Sequence, residues 1–258
     1  MPETNEKNCI LRDVCKLAGT SSCTRLCPHF VSLHGASGKG GRVGSMGIPE
    51  EYRKFTVKDN PVRTSQVAAY KKIDRVAESY KRMFDDIEDP KDRIKNVYMW
   101  SRSAGTGKTA TASALANEWQ KIHYAGSLQR GKVPEDDAVY MLDLVEFQTQ
   151  FNLHNRGNAR GELADKAFEK YVKMMQHAKD VGLLIIDDIG ARDASPAFRT
   201  DLHAIINHRY TKKKPTIYTS NVPMTELEGI FDGKLYDRVR DLTIEIEFEG
   251  TSKRGKRR

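Results

Sequence analysis

No apolar run in this chain of 258 residues approaches the roughly 18 to 20 residues that a membrane-spanning helix needs. The first residues, "MPETNEKNCILRDVC", lack a cationic start followed by an apolar stretch, so no secretory signal is expected. Together these absences lead us to expect a cytoplasmic protein without a membrane partner. No internal repeat is visible, which argues against a solenoid. Cysteine is scarce: there are four, and all lie within the first 27 residues. An acidic excess is missing too. The formal net charge is +8, a balance that favours polyanionic partners such as nucleic acid.

The positive charge is unevenly placed. The end of the chain, "KRGKRR", and the stretch "HRYTKKK", containing Arg209 and Lys212 to Lys214, are its densest parts. "HGASGKGGRVGSMG" is rich in glycine and reads as a flexible joint. A boundary is therefore expected at about residues 35 to 48. Residues 1–47 would form a small N-terminal domain with its linker, 48–250 the main domain, and 251–258 a basic tail. In "SQVAAYKKIDRVAESYKRMFDDI", Val67, Tyr70, Ile73, Val76, Ala77, Tyr80 and Phe84 recur at helical spacing, as on a helix facing a core. From Asn96 on, apolar strands ("VYMWS", "AVYMLDL", "GLLIIDDIG", "PTIYTSNV", "LTIEIEF") alternate with helical segments. The long helical stretch from about Val145 to Lys179 breaks near "NRGNARG". Such alternation implies an α/β fold with a largely parallel, five-stranded sheet.

"SRSAGTGKT", Ser101 to Thr109, lacks the first glycine of the phosphate-loop pattern G-x-x-x-x-G-K-[ST]; Arg102 stands in its place. The rest fits, and the loop lies between a strand and a helix. Backbone N–H groups from Ser103, Ala104, Gly105, Thr106, Gly107, Lys108, Thr109 and Ala110 would surround the phosphates of ATP. Lys108 would contact the β- and γ-phosphates, and the Thr109 hydroxyl would bind Mg2+. "LLIIDDIG" supplies an acidic partner, because two carboxylates end an apolar strand and need a metal or donors to compensate them. Asp187 would hold the Mg2+ shell and Asp188 would polarise the attacking water. Asp at the second position is shorter than the more usual Glu, which points to slow hydrolysis. Asn221, supported by Ser220 and Thr219, either orients that water and senses the γ-phosphate or is an ordinary polar strand end. Arg238 and Arg240, just before the last strand, are either surface charges or arginines offered to a neighbouring subunit.

In order, "GTGKT", "LLIIDDIG", "LHAIINHRY…KPTIYTSN" and "LYDRVRD" resemble the DnaC/DnaI-type replicative helicase loaders among the AAA+ ATPases, over about residues 60 to 250. The resemblance implies the AAA+ sheet, Asn221 as sensor and Arg238 as a finger acting in trans. It implies ATP-dependent self-assembly into an oligomer, a DnaB-type replicative helicase as partner, and delivery of that helicase onto single-stranded DNA. It also implies DNA contacts in the insertion after the second strand, where Phe147, Phe151, Arg156 and Arg160 offer stacking and phosphate contacts or, for the aromatics, helix packing. IstB-type transposition ATPases share the motor motifs and are the nearest alternative. A weakly hydrolysing adaptor that binds nucleotide and DNA is the other.

The four cysteines are spaced C-x5-C-x7-C-x3-C-x-H. Within a short segment of a cytosolic chain, this density favours metal over disulfides. Cys9, Cys15, Cys23 and Cys27 are expected to hold Zn2+, with His29 able to replace one of them. DnaI-type loaders are similar in having an N-terminal zinc domain that grips the helicase.

Overall fold

The computed structural model describes residues 4–155, 161–190, 194–230 and 233–252. Its contacts divide the chain into two compact units, Met1–Ile94 with Ala110–Val139, and Lys95–Thr109 with Tyr140–Arg258.

The first unit contains α1 (Pro28–His34), α2 (Gly41–Ser45), α3 (Val67–Ser79) and most of α4 (Lys108–Gln129). On α3 the expected stripe holds at Tyr70, Ile73, Val76 and Ala77, and Tyr80 just beyond it is buried as well. Val67, in the first turn, is exposed. The Tyr70 hydroxyl meets Thr111 Oγ1 at 3.1 Å. The Asn117 amide donates to the carbonyls of Tyr52 and Phe55.

The glycine-rich stretch expected as a joint carries α2 instead, with Val43 and Met46 buried. Its glycines serve close approach. Gly41 has a φ of +61°, and a Cβ there would lie 2.7 Å from the Leu33 carbonyl oxygen. Without side chains, the segment folds tightly back on itself.

The second unit is built on one sheet: β1 (Asn96–Trp100), β2 (Val139–Asp143), β3 (Leu183–Ile189), β4 (Thr216–Ser220) and β5 (Thr243–Glu247), in the order β2-β3-β4-β1-β5. β1 runs parallel to β4 and β5, and β3 parallel to β4. Inner strands buried on both faces read as continuous apolar runs, as "LLII" does; "TIYTS" is buried throughout as well, with its hydroxyls enclosed. The connecting helices are α5 (Leu144–Asn155), α6 (Glu162–Asp180), α7 (Pro196–Thr211), the single turn α8 (Leu227–Ile230) and α9 (Gly233–Arg240). Asp143 starts α5 by accepting from the N–H groups of Val145 and Glu146. Ser195 caps α7 by accepting from Phe198 N–H, with Pro196 at the first helical position. The core gathers Tyr98, Leu184, Ile186, Phe198, Leu202 and Tyr218.

Two readings of single residues need correction. Phe147 is fully buried and stacks on Tyr171 with ring centroids 4.4 Å apart, so it packs the core and offers no face to a DNA base. Arg209, counted above with the polyanion-binding charge, is 1% exposed; its guanidinium is spent on the protein's own backbone. Arg156 and Arg160 lie outside the described residues, as does the basic end of the chain from Lys253 on.

Candidate nucleotide site

The expected phosphate loop joins β1 to α4. Gly105 and Gly107 have φ values of +73° and +103°, which a side chain tolerates poorly, so both remaining glycines are required by the turn. The loop ends at the N-terminus of α4, where the first N–H groups of a helix and its dipole favour an anion. Lys108 opens that helix and is buried; its ammonium donates to Asn221 Oδ1 at 3.0 Å and to the Ser103 carbonyl at 3.4 Å. Lys108 and Asn221, 113 residues apart, are thus neighbours in one site.

The acidic end of β3 faces the same place. Thr109 Oγ1 donates to the Asp187 carboxylate, 3.1 and 3.3 Å from its two oxygens. A hydroxyl that gives its proton to a carboxylate keeps its lone pairs for a cation, so this pair of hard oxygen donors suits Mg2+. Thr219 Oγ1 donates to Asp187 Oδ1 at 2.6 Å and accepts from the Asp188 N–H at 3.0 Å. Ser220 Oγ donates to the Ile189 carbonyl at 2.7 Å. The reading from sequence placed Thr219 in support of Asn221; its closer tie is to the two acids.

Burial pushes the Asp187 carboxyl up to about 6; the nearby charges of Asp188 and Asp143 also raise it, while the Thr219 and Thr109 hydroxyls lower it. A carboxyl that binds its proton more tightly folded than unfolded stabilises the fold at low pH, and that contribution is lost as pH rises through about 6. Asp187→Asn is therefore expected to melt above the unsubstituted chain at pH 8, with a smaller gap at pH 5, and to lose Mg2+-dependent turnover. Thermal melts at both pH values check this; an unchanged or lower melting temperature at pH 8 would contradict it.

Arg102 turns away from the loop and pairs with Glu226, Nη2 to Oε1 at 2.5 Å. Both side chains are well exposed. Arg238 donates to His203 Nε2 at 2.6 Å, which requires that nitrogen to be the unprotonated one. Arg240 pairs with Asp237 at 2.9 Å and lies over the Tyr236 ring.

In the first unit, Cys9, Cys15, Cys23 and Cys27 line one small cavity with His29. Burial raises the Cys9 thiol pKa, and the other three cysteines add to the rise. Among the described residues, no three His, Cys, Asp or Glu side chains stand as a ready metal-ligand group. No described helix is long and apolar enough to cross a membrane.

Residues 160–258 match the family of IstB-like ATP binding proteins, a span that holds Asp187, Asn221 and Arg238. The chain is 23% identical over 206 residues to the replicative helicase loader DnaI of Bacillus subtilis (strain 168), covering 72% of this chain and 58% of that protein. It is 24% identical over 143 residues to the replicative helicase loader DnaC of Escherichia coli (strain K12), covering 55% and 49%. The chain thus spans about half the length of the curated relatives it matches. Among solved structures, a crystal structure of DnaI aligns with a TM-score of 0.56 at 20% identity, over 83% of this chain and 99% of that one. A putative primosome component from Streptococcus pyogenes serotype M3 aligns with a TM-score of 0.55 at 22% identity, over 83% and 97%. A crystal structure of the DnaC helicase loader follows with a TM-score of 0.52 at 16% identity, over 78% and 100%. The likeness to these structures is one of fold.

Proposed function

We propose that the chain is an ATP-driven loader of the AAA+ class that places a DnaB-type replicative helicase on single-stranded DNA; its likeness to IstB-like ATP binding proteins and to the loaders DnaI and DnaC supports this. The observation that carries the ATPase part is a pair of hydrogen-bonded groups, Lys108 with Asn221 and Thr109 with Asp187 and Thr219, which meet at the adjacent residues Lys108 and Thr109. Lys108 and the loop N–H groups hold the phosphates. Thr109 and Asp187 hold Mg2+, which when bound neutralises charge on the phosphate oxygens. Asp188 polarises the attacking water, and Asn221 orients it against the γ-phosphate. The shorter Asp188 side chain makes turnover slow and dependent on assembly or DNA. Steady-state phosphate release with and without single-stranded DNA tests this, and a chain that releases none under either condition sinks it.

Arg238 acts in trans on the nucleotide of a neighbouring subunit. Arg238→Ala is expected to keep ATP affinity and lower turnover by about 10³-fold or more in the assembled protein. Unaffected turnover would move the finger to Arg240 or elsewhere.

DNA contacts belong to the end of the α5–α6 pair. There Phe168 is 45% exposed, with its ring centroid 4.5 Å from that of His154, an aromatic surface that the buried Phe147 does not offer. DNA affinity should fall steeply with salt, as phosphate contacts require. A salt-independent affinity would count against this placement.

The four cysteines hold Zn2+ in the segment that grips the helicase. Four thiols around one cavity are the support for this. Cys15→Ser is expected to release about one zinc per chain and weaken helicase capture while leaving phosphate release intact. Metal analysis of the purified chain decides; an unsubstituted chain without zinc would refute it.

The match over 160–258 also keeps a transposition ATPase of the IstB type in view. Capture of a transposase rather than a helicase would favour that reading.

A further inference from the structure

At the acidic end of the sheet, β3 carries one more residue than β4. Ile186 stands opposite Tyr218 and Ile189 opposite Ser220, so Asp187 and Asp188 together face Thr219. Such a bulge bends its strand and redirects side chains, and it is common beside active sites. Here it puts Asp188 at a φ of +61°, in the left-handed region that non-glycine residues seldom occupy. A conformation of this kind persists only where its surroundings hold it.

The Thr219 hydroxyl is what holds it. It donates to Asp187 Oδ1 and accepts from Asp188 N–H, touching both halves of the bulge with one atom. A hydroxyl has a single proton. Giving it to Asp187 fixes the O–H direction and leaves a lone pair for the Asp188 amide. Thr219 is fully buried, so water has no access to replace either bond. The same Asp187 oxygen is reached by Thr109 from the phosphate loop. The hydroxyl therefore links the residue that would hold Mg2+ to the backbone that aims Asp188.

We propose that Thr219 is a positioning residue of the hydrolytic site, its hydroxyl setting the bulge and with it the directions of both acidic side chains. This rests on the ATPase reading above.

The test compares Thr219→Val, which keeps the shape, with Thr219→Ser, which keeps the hydroxyl. Three quantities are read: affinity for a non-hydrolysable ATP analogue without metal, affinity of that complex for Mn2+, and phosphate release from ATP. In Thr219→Val the first is expected to be unchanged, while Mn2+ affinity and turnover each fall about 10- to 100-fold, the usual effect of losing a group that orients a metal ligand. Thr219→Ser should restore both. Thr219→Ala, read the same way, replaces the valine variant if that one does not fold. Wild-type Mn2+ affinity and turnover without the hydroxyl would overturn the proposal. So would equal losses in the serine and hydroxyl-free variants, which would mark a packing role. If the unsubstituted chain binds no analogue and releases no phosphate, the ATPase reading itself fails and this proposal goes with it.

Discussion

Lys108→Ala is expected to lower ATP turnover by about 10²- to 10³-fold and to weaken ATP binding sharply, while the chain stays folded. The ammonium is buried at the start of α4, aimed at the same place as Asn221 and within reach of the Ser103 carbonyl. In that low-dielectric setting a charge aimed at phosphate oxygens is worth more than in water. Removing one such preorganised donor costs on the order of 10²- to 10³-fold in turnover. The helix itself should tolerate the change, since alanine is the best helix former. Titration with a fluorescent ATP analogue and a phosphate-release assay check both parts. Unchanged affinity in a folded Lys108→Ala chain would remove the phosphate loop from the account.

Arg209→Met should have the largest effect on stability. All five guanidinium N–H groups are used within the second unit. Nε donates to Thr216 Oγ1 at 2.9 Å, Nη1 to the carbonyls of Ala178 and Val181, and Nη2 to those of Gly182 and Pro215. One side chain thereby ties the last turn of α6 to the starts of β3 and β4. The α6 carbonyls at that end carry the negative pole of the helix, which suits a cation. Methionine fills much of the volume but removes at once the donors to two buried carbonyls, two partly buried ones and the Thr216 hydroxyl. By analogy with breaking a buried ionic network, the loss is about 3 to 5 kcal/mol, a large part of the roughly 5 to 15 kcal/mol typical of a domain. The melting temperature should drop by roughly 10 °C. Lysine is no substitute, because a single ammonium cannot span five acceptors. A methionine variant melting within a degree or two of the unsubstituted chain would contradict this.

Much of the second unit was legible from the sequence because its strands carry apolar residues in short runs between helical stretches, most plainly in the buried β3. The candidate phosphate loop and acidic pair could be picked out because phosphate and metal chemistry would need particular residues in a fixed local order. What was hidden depends on contacts between distant segments. The left-handed Asp188 and the bulge follow from the offset between β3 and β4, which no local pattern records. Arg209 sits in a run with three lysines and looked like surface charge until its five acceptors were brought around it. Phe147 on α5 and Phe168 on α6 are both helical aromatics, yet one is enclosed and the other exposed. The glycines near residue 40 looked like freedom and serve compactness.

The most direct test of the loader reading is deposition of a DnaB-type helicase on circular single-stranded DNA with ATP, with the chain present, absent, or carrying Lys108→Ala. We expect the intact chain to raise the amount of helicase on the DNA and the Lys108→Ala chain to fall back to the level without it. Equal deposition in all three reactions would contradict the account.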